Sequence, residues 1–209
     1  MDKYRETFET WNKLASLYQE KFMLLDIYNE SYDYICESVT KPNARILDVG
    51  CGPGNITKYL LSKRPDFNIL GIDMAPNMIK LAQENIPNAS FRVMNIDKIP
   101  DLDTKFDSIV CGFCIPYLSE DECNTLILDA KELLHMGGYL YLSFVEGEPA
   151  LSGFKTGSTG DRTFFYYHKL IKIQEQLILS GFGDIKIFKV GFNRSEADHE
   201  EHTIVIAKK

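Results

Sequence analysis

The sequence predicts a doubly wound α/β fold: a seven-stranded sheet, mostly parallel with an antiparallel last strand, and helices on both faces. Three observations predict it. Short β-rich runs alternate with helical stretches from residue 44 to residue 145, the arrangement of parallel βαβ units. A glycine-rich loop, GCGPGN, follows the first of these runs. The last two runs are joined by a short polar link that suits a hairpin better than a crossover helix, which turns the final strand antiparallel.

Taken in order, the first 40 residues carry helical periodicity. Trp11, Leu14, Leu17, Tyr18, Phe22, Leu25, Tyr28, Tyr32 and Ile35 recur at three- and four-residue steps. Lys41-Pro42-Asn43 ends that pattern. Residues 44–49 (ARILDV) read as the first strand and 56–63 as a helix. Residues 67–72 (FNILGI) are a second strand closed by Asp73, and 76–85 a helix with Pro76 in its first turn. Residues 89–94 and 106–111 (FDSIVC) are strands. Residues 121–135 form a helix stopped by Gly137-Gly138, and 139–145 (YLYLSFV) are the fifth strand. The Gly-, Ser- and Thr-rich stretch 146–163 reads as a loop, 164–167 as a short extended segment and 168–180 as a helix. Residues 185–190 and 203–207 are the last two strands, joined by the polar residues 191–202.

With 209 residues, 44% hydrophobic and 25% charged, the chain has the size and composition of one globular domain. A formal charge of −7 argues against broad nucleic-acid binding, which needs a basic footprint. No apolar run approaches the roughly 20 residues that span a bilayer, and the polar, charged start MDKYRETFETWNK is not expected to be a leader. The five cysteines include one C-x-x-C pair, Cys111 and Cys114, with neither a second pair nor paired histidines beside it. They read as small buried thiols in a reducing cytoplasm rather than as a zinc site. No metal site is expected. His199 and His202 are assigned to a solvated acidic turn, and His135 to a helix C-terminus, where the helix dipole accounts for it.

The segment from Ile46 to Asn55 decides the chemistry. It places a strand, the acid Asp48, then Gly50, Gly52 and Gly54 at alternate positions, and then a helix. Glycine permits positive φ and lets the backbone approach a ligand closely. In an open α/β sheet, ligands bind beyond the carboxyl ends of the strands. A dinucleotide loop has G-x-G-x-x-G and holds a pyrophosphate on the helix N-terminus. Here Asn55 stands at the third glycine's place, and the carboxylate of Asp48 disfavours a pyrophosphate while suiting an ammonium group. Asp73, at the end of the second strand, is placed to accept hydrogen bonds from ribose hydroxyls, a geometry shared with dinucleotide sites.

On these residues the chain resembles the class I S-adenosylmethionine-dependent methyltransferases of small-molecule type. ILDVGCGPG is followed in order by GIDMAPNMIKLAQEN, FRVMNIDKIP, FDSIVCGFCIPYLS and YLYLSFV, so the resemblance covers residues 44–145 well and the tail more weakly through SGFGDIKIF. It implies a Rossmann-like sheet, S-adenosylmethionine as cofactor and S-adenosylhomocysteine as product. It implies that Gly50, Cys51 and Gly52 hold the methionine part through backbone, with Gly54 completing the loop and Asp48 nearby. Asp73 would hold the ribose, Met74 would pack on the adenine and Met78 would close the same side. Asn95 stands where the family has an acid, and its amide oxygen still accepts from the adenine amino group, with the Ile96 N–H serving an adenine nitrogen. Cys111 and Gly112 would border the amino-acid end and the methyl. Tyr18 would lie over the cofactor.

Acceptor selection is expected from the N-terminal helices and the insertion after the fifth strand. Trp11, Tyr117, Tyr166 and Tyr167 are the candidate substrate residues, and His168 is a candidate general base. Phe154, Phe164 and Phe165 belong to the same aromatic stretch, with Gly153, Gly157 and Gly160 as hinges of a lid. An Asn/Asp-Pro-Pro-Tyr run, found in relatives that methylate exocyclic amines of bases, is missing after the fourth strand, where Cys111-Gly112-Phe113 stands instead. A small-molecule acceptor follows, with methyl transfer to O, N or C. The expected organisation is one domain over 1–209: a helical cover (1–41), a cofactor-binding core (42–145), an insertion or lid (146–168) and a C-terminal helix and hairpin (169–209). The protein is expected to be a cytoplasmic monomer or homodimer with no membrane or nucleic-acid partner. A cofactor-binding regulatory module without turnover and an NAD(P)-dependent oxidoreductase are the alternatives.

Overall fold

A computed structural model describes residues 2–195 and 198–209, with side chains described outside 193–199. The strands of the main sheet are β1 (Arg45–Val49), β2 (Asn68–Asp73), β3 (Ser90–Val93), β4 (Phe106–Cys111), β5 (Leu134–Val145), β8 (Gly183–Ser195) and β9 (Asp198–Lys208). They lie in the order β3-β2-β1-β4-β5-β9-β8. Pairing is parallel from β3 through β5, and β9 runs antiparallel to both β5 and β8. This is the doubly wound sheet the sequence predicts.

Both faces of the sheet are covered, so its central strands bury apolar side chains on both sides. Successive residues alternate between the two cores. Leu47, Ile109, Leu140, Leu142 and Val205 pack on the side of α6 (Glu120–Leu133) and α7 (Leu170–Leu179). Ile46, Val110, Tyr141, Ile204 and Ile206 face α3 (Asn29–Ser38) and α4 (Asn55–Lys63). α5 (Pro76–Asn85) follows β2, with Pro76 in its first turn as expected. Among the described residues no helix is long and apolar enough to cross a membrane.

The continuous N-terminal periodicity resolves into three helices: α1 (Lys3–Lys13), α2 (Ala15–Phe22) and α3. The aromatic spacing continues across Leu14, where the backbone leaves the helical region, and across the turn before Asn29, so periodicity alone hides both breaks. Asp2 caps α1 by accepting from the Tyr4 N–H.

Residues 146–163 are not a plain loop. β6 (Gly153–Thr156) and β7 (Arg162–Phe165) pair antiparallel as a separate hairpin closed at Thr156 and Arg162. With four residues per strand, this hairpin depends on α1. Thr10 donates to the Arg162 carbonyl at 2.7 Å, and Phe164 N–H donates to Thr7 Oγ1 at 2.9 Å. Arg162 and Glu6 are paired at 2.8 Å, as are Lys13 and Asp161 at 2.9 Å. These contacts span about 150 positions of sequence, beyond the reach of a local pattern.

Three smaller corrections concern ends and side chains. α6 stops at Leu133 and β5 begins at once, so Gly137-Gly138 lies inside a strand, as does His135. The carbonyls freed there are taken by Lys209, whose Nζ donates to Lys131 and Leu134. His202 is buried rather than solvated, with Nδ1 at 2.7 Å from Tyr28 Oη, while the His199 side chain lies outside the described residues. Cys36, Cys51, Cys111 and Cys123 are buried free thiols, but Cys114 is half-exposed.

Arg64 ties the N-terminal helices to the sheet. Its guanidinium donates to the carbonyls of Cys36, Val39 and Lys41 and to both oxygens of Asp66. Arg64→Met keeps the stem and removes these bonds. It is expected to lower unfolding free energy by about 2 kcal/mol, read as a lower urea midpoint, and an unchanged midpoint would contradict this role.

Candidate functional site

The strand order reverses direction between β1 and β4, which opens a crevice at their carboxyl ends. The main cavity lies there, with a volume of about 550 Å³. Its floor is the loop after β1. Gly50, Gly52 and Gly54 all have positive φ, at 67°, 52° and 90°. A Cβ on Gly50 would lie 2.9 Å from the Cβ of Cys114, and one on Gly54 would lie 2.3 Å from Ile86 Cδ1. The loop is thus pressed between α5 and the segment after β4.

Two carboxylates frame this loop. Asp48 is fully buried, with Oδ2 accepting from Thr57 Oγ1 at 2.6 Å. Its Oδ1 has no partner among the described residues. Burial pushes the carboxyl up to about 6, against the opposing bond from Thr57. Asp73 lines the cavity. Its Oδ2 accepts from Gly52 N–H at 3.0 Å and its Oδ1 from Ala75 N–H at 2.8 Å. Burial raises it too, more than the two N–H bonds lower it.

Of the other residues singled out in the sequence, Tyr18, Met74, Met78, Asn95, Ile96 and Gly112 line the same cavity, as do Trp11 and Tyr117. Trp11 meets Tyr18 edge-on at 5.6 Å and Tyr117 at 5.7 Å between centroids. Burial pushes the Tyr18 phenol up to about 12, with the charges of Asp73 and Asp48 adding to the effect. Cys51, Gly54 and Cys111 lie behind the wall rather than in it. Cys51 and Cys111 are buried, and Gly54 faces Ile86, Ala82 and Phe91.

The structure does not bring His168 into this cavity. Its Nε2 is 2.9 Å from the Ile115 carbonyl, its ring stands edge-on to Phe144, and burial lowers its pKa. His168 borders a smaller cavity of about 250 Å³ together with Tyr166 and Tyr167. The position fits a side chain that anchors the segment after β4. Tyr167 packs on Phe165. Tyr166 reaches only the rim of the main cavity, where its hydroxyl is 3.2 Å from that of Tyr4.

Sequence reasoning missed Tyr4 and Phe8 on α1, Phe113 and Cys114 after β4, and Asp121, Glu122 and Thr125 on α6, all of which line the cavity. Tyr4, Phe8 and Trp11 share one helix face at i, i+4 and i+7 spacing, a signal the sequence does carry. Asp121 and Glu122 read locally as helix N-terminal charges, and Ser119 with Glu122 does form a capping box. Phe113 takes φ of 54°, which no local signal marks in a phenylalanine.

Gly54→Ala places a side chain at φ of 90° against Ile86. The expected cost is about 3 kcal/mol of stability, measured by chemical denaturation. A stability equal to that of the unsubstituted protein would show that the loop does not need this glycine.

A family model described as a methyltransferase domain matches residues 46–138. The trans-aconitate 2-methyltransferase of Methylobacterium nodulans is 37% identical over 131 residues, covering 57% of this chain and 51% of that protein. The ubiquinone biosynthesis O-methyltransferase of Xanthomonas campestris pv. campestris is 29% identical over 123 residues, covering 56% and 50%. The chain spans about half the length of these curated relatives. Among solved structures, the magnesium protoporphyrin IX methyltransferase of Synechocystis PCC 6803 with bound S-adenosylmethionine superposes with a TM-score of 0.73 at 16% identity, covering 100% of this chain and 98% of that one. Residues 46–138 belong to the methyltransferase domain family, and the chain has the fold of the class I S-adenosylmethionine-dependent methyltransferases.

Proposed function

We propose that the protein transfers a methyl group from S-adenosylmethionine to O, N or C of a small-molecule acceptor held in the main cavity, releasing S-adenosylhomocysteine. One observation carries this reading. A single cavity runs from the glycine loop and Asp73 to an aromatic wall, and its lining holds Asp73, Asp97, Asp121, Glu122 and Asp129 with no Lys, Arg or His among the described residues. That lining repels a pyrophosphate and speaks against the NAD(P) reading. It suits a cofactor that carries an ammonium and a sulfonium.

The chain's residues fit such a cofactor. Each Asp73 oxygen accepts one backbone N–H and keeps a lone pair for a ribose hydroxyl. The unpartnered Asp48 Oδ1 beneath the loop offers charge to the ammonium. Gly50 and Gly52 give backbone without a Cβ at the closest approach, Cys51 contributes backbone alone, and Gly54 supports the turn from below. Met74, Met78, Asn95 and Ile96 form the adenine end, and Cys111 underlies Gly112 at the amino-acid end. When bound, S-adenosylmethionine supplies a methyl already activated by its sulfonium. The protein's task is then to align the reactants and exclude water, which supplies rate through proximity. Tyr18, Trp11 and Tyr117 build the wall on the acceptor side, and aromatic faces favour the cationic sulfur. His168, bonded to a carbonyl outside the cavity, takes no part as a base. Tyr166 and Tyr167 act through the hairpin that holds α1.

The same reading makes 1–209 one domain, cytoplasmic, monomeric or homodimeric and without a nucleic-acid partner. Its free cysteines suit a reducing compartment, and its net charge of −7 disfavours a nucleic-acid partner.

Calorimetry with S-adenosylhomocysteine is expected to show one site. Asp73→Ala is expected to weaken binding about a hundredfold through loss of two charge-assisted bonds. No binding to the unsubstituted protein, or binding indifferent to this change, would count against the proposal.

Affinity is also expected to depend on pH. An ammonium near Asp48 favours the ionised carboxylate, so binding releases a proton and tightens as pH rises through about 6. The gain from about pH 5 to about pH 7.5 is roughly tenfold, and Asp48→Asn should flatten it. The free protein shows the opposite trend. Folding raises Asp48 from 3.8 to about 6, so its stabilising contribution is full below 3.8 and lost as pH rises through 6. A pH-independent affinity would remove Asp48 from the binding site.

A further inference from the structure

Neither thiol of the C-x-x-C pair at the end of β4, Cys111 and Cys114, has a task in methyl transfer. Cys111 closes the strand and is fully buried. The chain then bends at Gly112 and Phe113. Phe113 takes φ of 54°, and its N–H donates to Ser143 Oγ at 2.8 Å. Cys114 follows, packed against the core cluster that contains Cys111 and Cys123. The bend turns Cys114 back on Cys111, and the two side chains are hydrogen-bonded. That bond, together with burial, holds the Cys111 thiol well above the usual range, so Cys111 keeps its proton and donates to the Cys114 sulfur.

The two sulfurs differ in access. Cys111 is sealed in the core, whereas Cys114 is half-exposed and lines the main cavity. An oxidant that enters the cavity meets Cys114, with Cys111 bonded to it as a resolving thiol. The bend between them has little slack. A Cβ on Gly112 would lie 2.2 Å from Ile56 Cδ1, and one on Gly50 would lie 2.9 Å from the Cys114 Cβ. A shift of Cys114 is therefore felt by the glycine loop.

We propose that Cys111 and Cys114 form a reversible disulfide when the protein meets a peroxide, and that this bond closes the cofactor site. The regulatory effect rests on the S-adenosylmethionine reading of the cavity. The Cys114 sulfur attacks one peroxide oxygen: an S–O bond forms, the O–O bond breaks, and the thiol proton leaves with the other oxygen as water. The Cys111 sulfur then displaces the oxygen from Cys114: the S–S bond forms, the S–O bond breaks, and the Cys111 proton leaves with that hydroxyl as a second water. The two thiols give up two electrons and two protons, and hydrogen peroxide is reduced to water. An S–S bond of about 2.05 Å replaces a hydrogen-bonded contact, so Cys114 shifts from its seat against Gly50. Gly112 and Phe113, both in the cavity wall, move with it.

The test compares the full chain before and after hydrogen peroxide. Binding of S-adenosylhomocysteine to the reduced protein is measured first. Its absence contradicts the cofactor reading, and the mass of the oxidised chain still decides the disulfide. Oxidation is expected to lower that mass by about 2 Da and to leave two of the five cysteines closed to alkylation. Cleavage after Glu120 or Glu122 separates the pair from Cys123, so fragment masses place the bond without any substitution. Affinity for S-adenosylhomocysteine is expected to fall at least about tenfold on oxidation and to return with dithiothreitol. Saturation with S-adenosylhomocysteine beforehand is expected to slow the oxidation about tenfold or more. Cys114→Ala is expected to bind equally before and after peroxide, and Cys123→Ala to respond as the unsubstituted chain does. No disulfide, a disulfide to Cys123, a sulfinic acid at Cys114 in its place, an affinity indifferent to oxidation, or oxidation no slower with the cavity filled would each overturn the proposal.

Discussion

The site depends on how the end of the central strand is held. Asp48 is buried at the carboxyl end of β1, and the next residues turn through three left-handed glycines before α4 begins. A buried carboxylate is costly unless it is bonded, and Thr57, in the first turn of α4, supplies a bond to it. That bond sets α4 against the strand. The Gly52 N–H, turned outward by the same loop, reaches Asp73 and ties the end of β1 to the end of β2. Asp73 is thereby brought to the crevice wall, with Asp48 buried behind the glycine loop.

The other wall comes from far away in sequence. α1 is short and amphipathic, and an isolated helix of eleven residues is marginal in water. It is held by the β6–β7 hairpin through Thr7, Thr10, Glu6 and Lys13. The hairpin is in turn held by α1, and by the Tyr166 N–H on the Pro116 carbonyl. α1 and the hairpin form one mutually dependent unit over the cavity, and Tyr4 fastens it to α6 through Glu122. A ligand entering beside this unit meets aromatic rings and carboxylates before it meets the glycine loop.

The parts of this architecture that were legible in the sequence are those fixed by local chemistry. The strands from β1 to β5 are short apolar runs between glycine and proline punctuation, and Asp48, the glycines and Asp73 sit at strand ends that this pattern locates. What stayed hidden depends on distant partners. The hairpin needs α1, the end of α6 needs the Lys209 side chain, and the breaks among the N-terminal helices leave the aromatic period intact. At the cavity, Trp11 and Tyr18 belong to the helical aromatic spacing that the sequence displays, while Tyr117 lies in the segment after the fourth strand. Glu122 was hidden because an acid in a first helical turn already has a sufficient local role. His168 shows the converse: a histidine beside two tyrosines suggests chemistry, yet the fold spends it on the Ile115 carbonyl.

The central claim is that the glycine loop and Asp73 hold S-adenosylhomocysteine with its ribose on Asp73 and its sulfur facing the aromatic wall. A crystal structure of the full chain with S-adenosylhomocysteine tests it most directly. The account predicts both ribose hydroxyls within hydrogen-bonding distance of Asp73, the amino group on the Asp48 side of the loop, and the sulfur turned toward Tyr18, Trp11 and Tyr117. A ligand bound elsewhere, or one with its ribose away from Asp73, would contradict it.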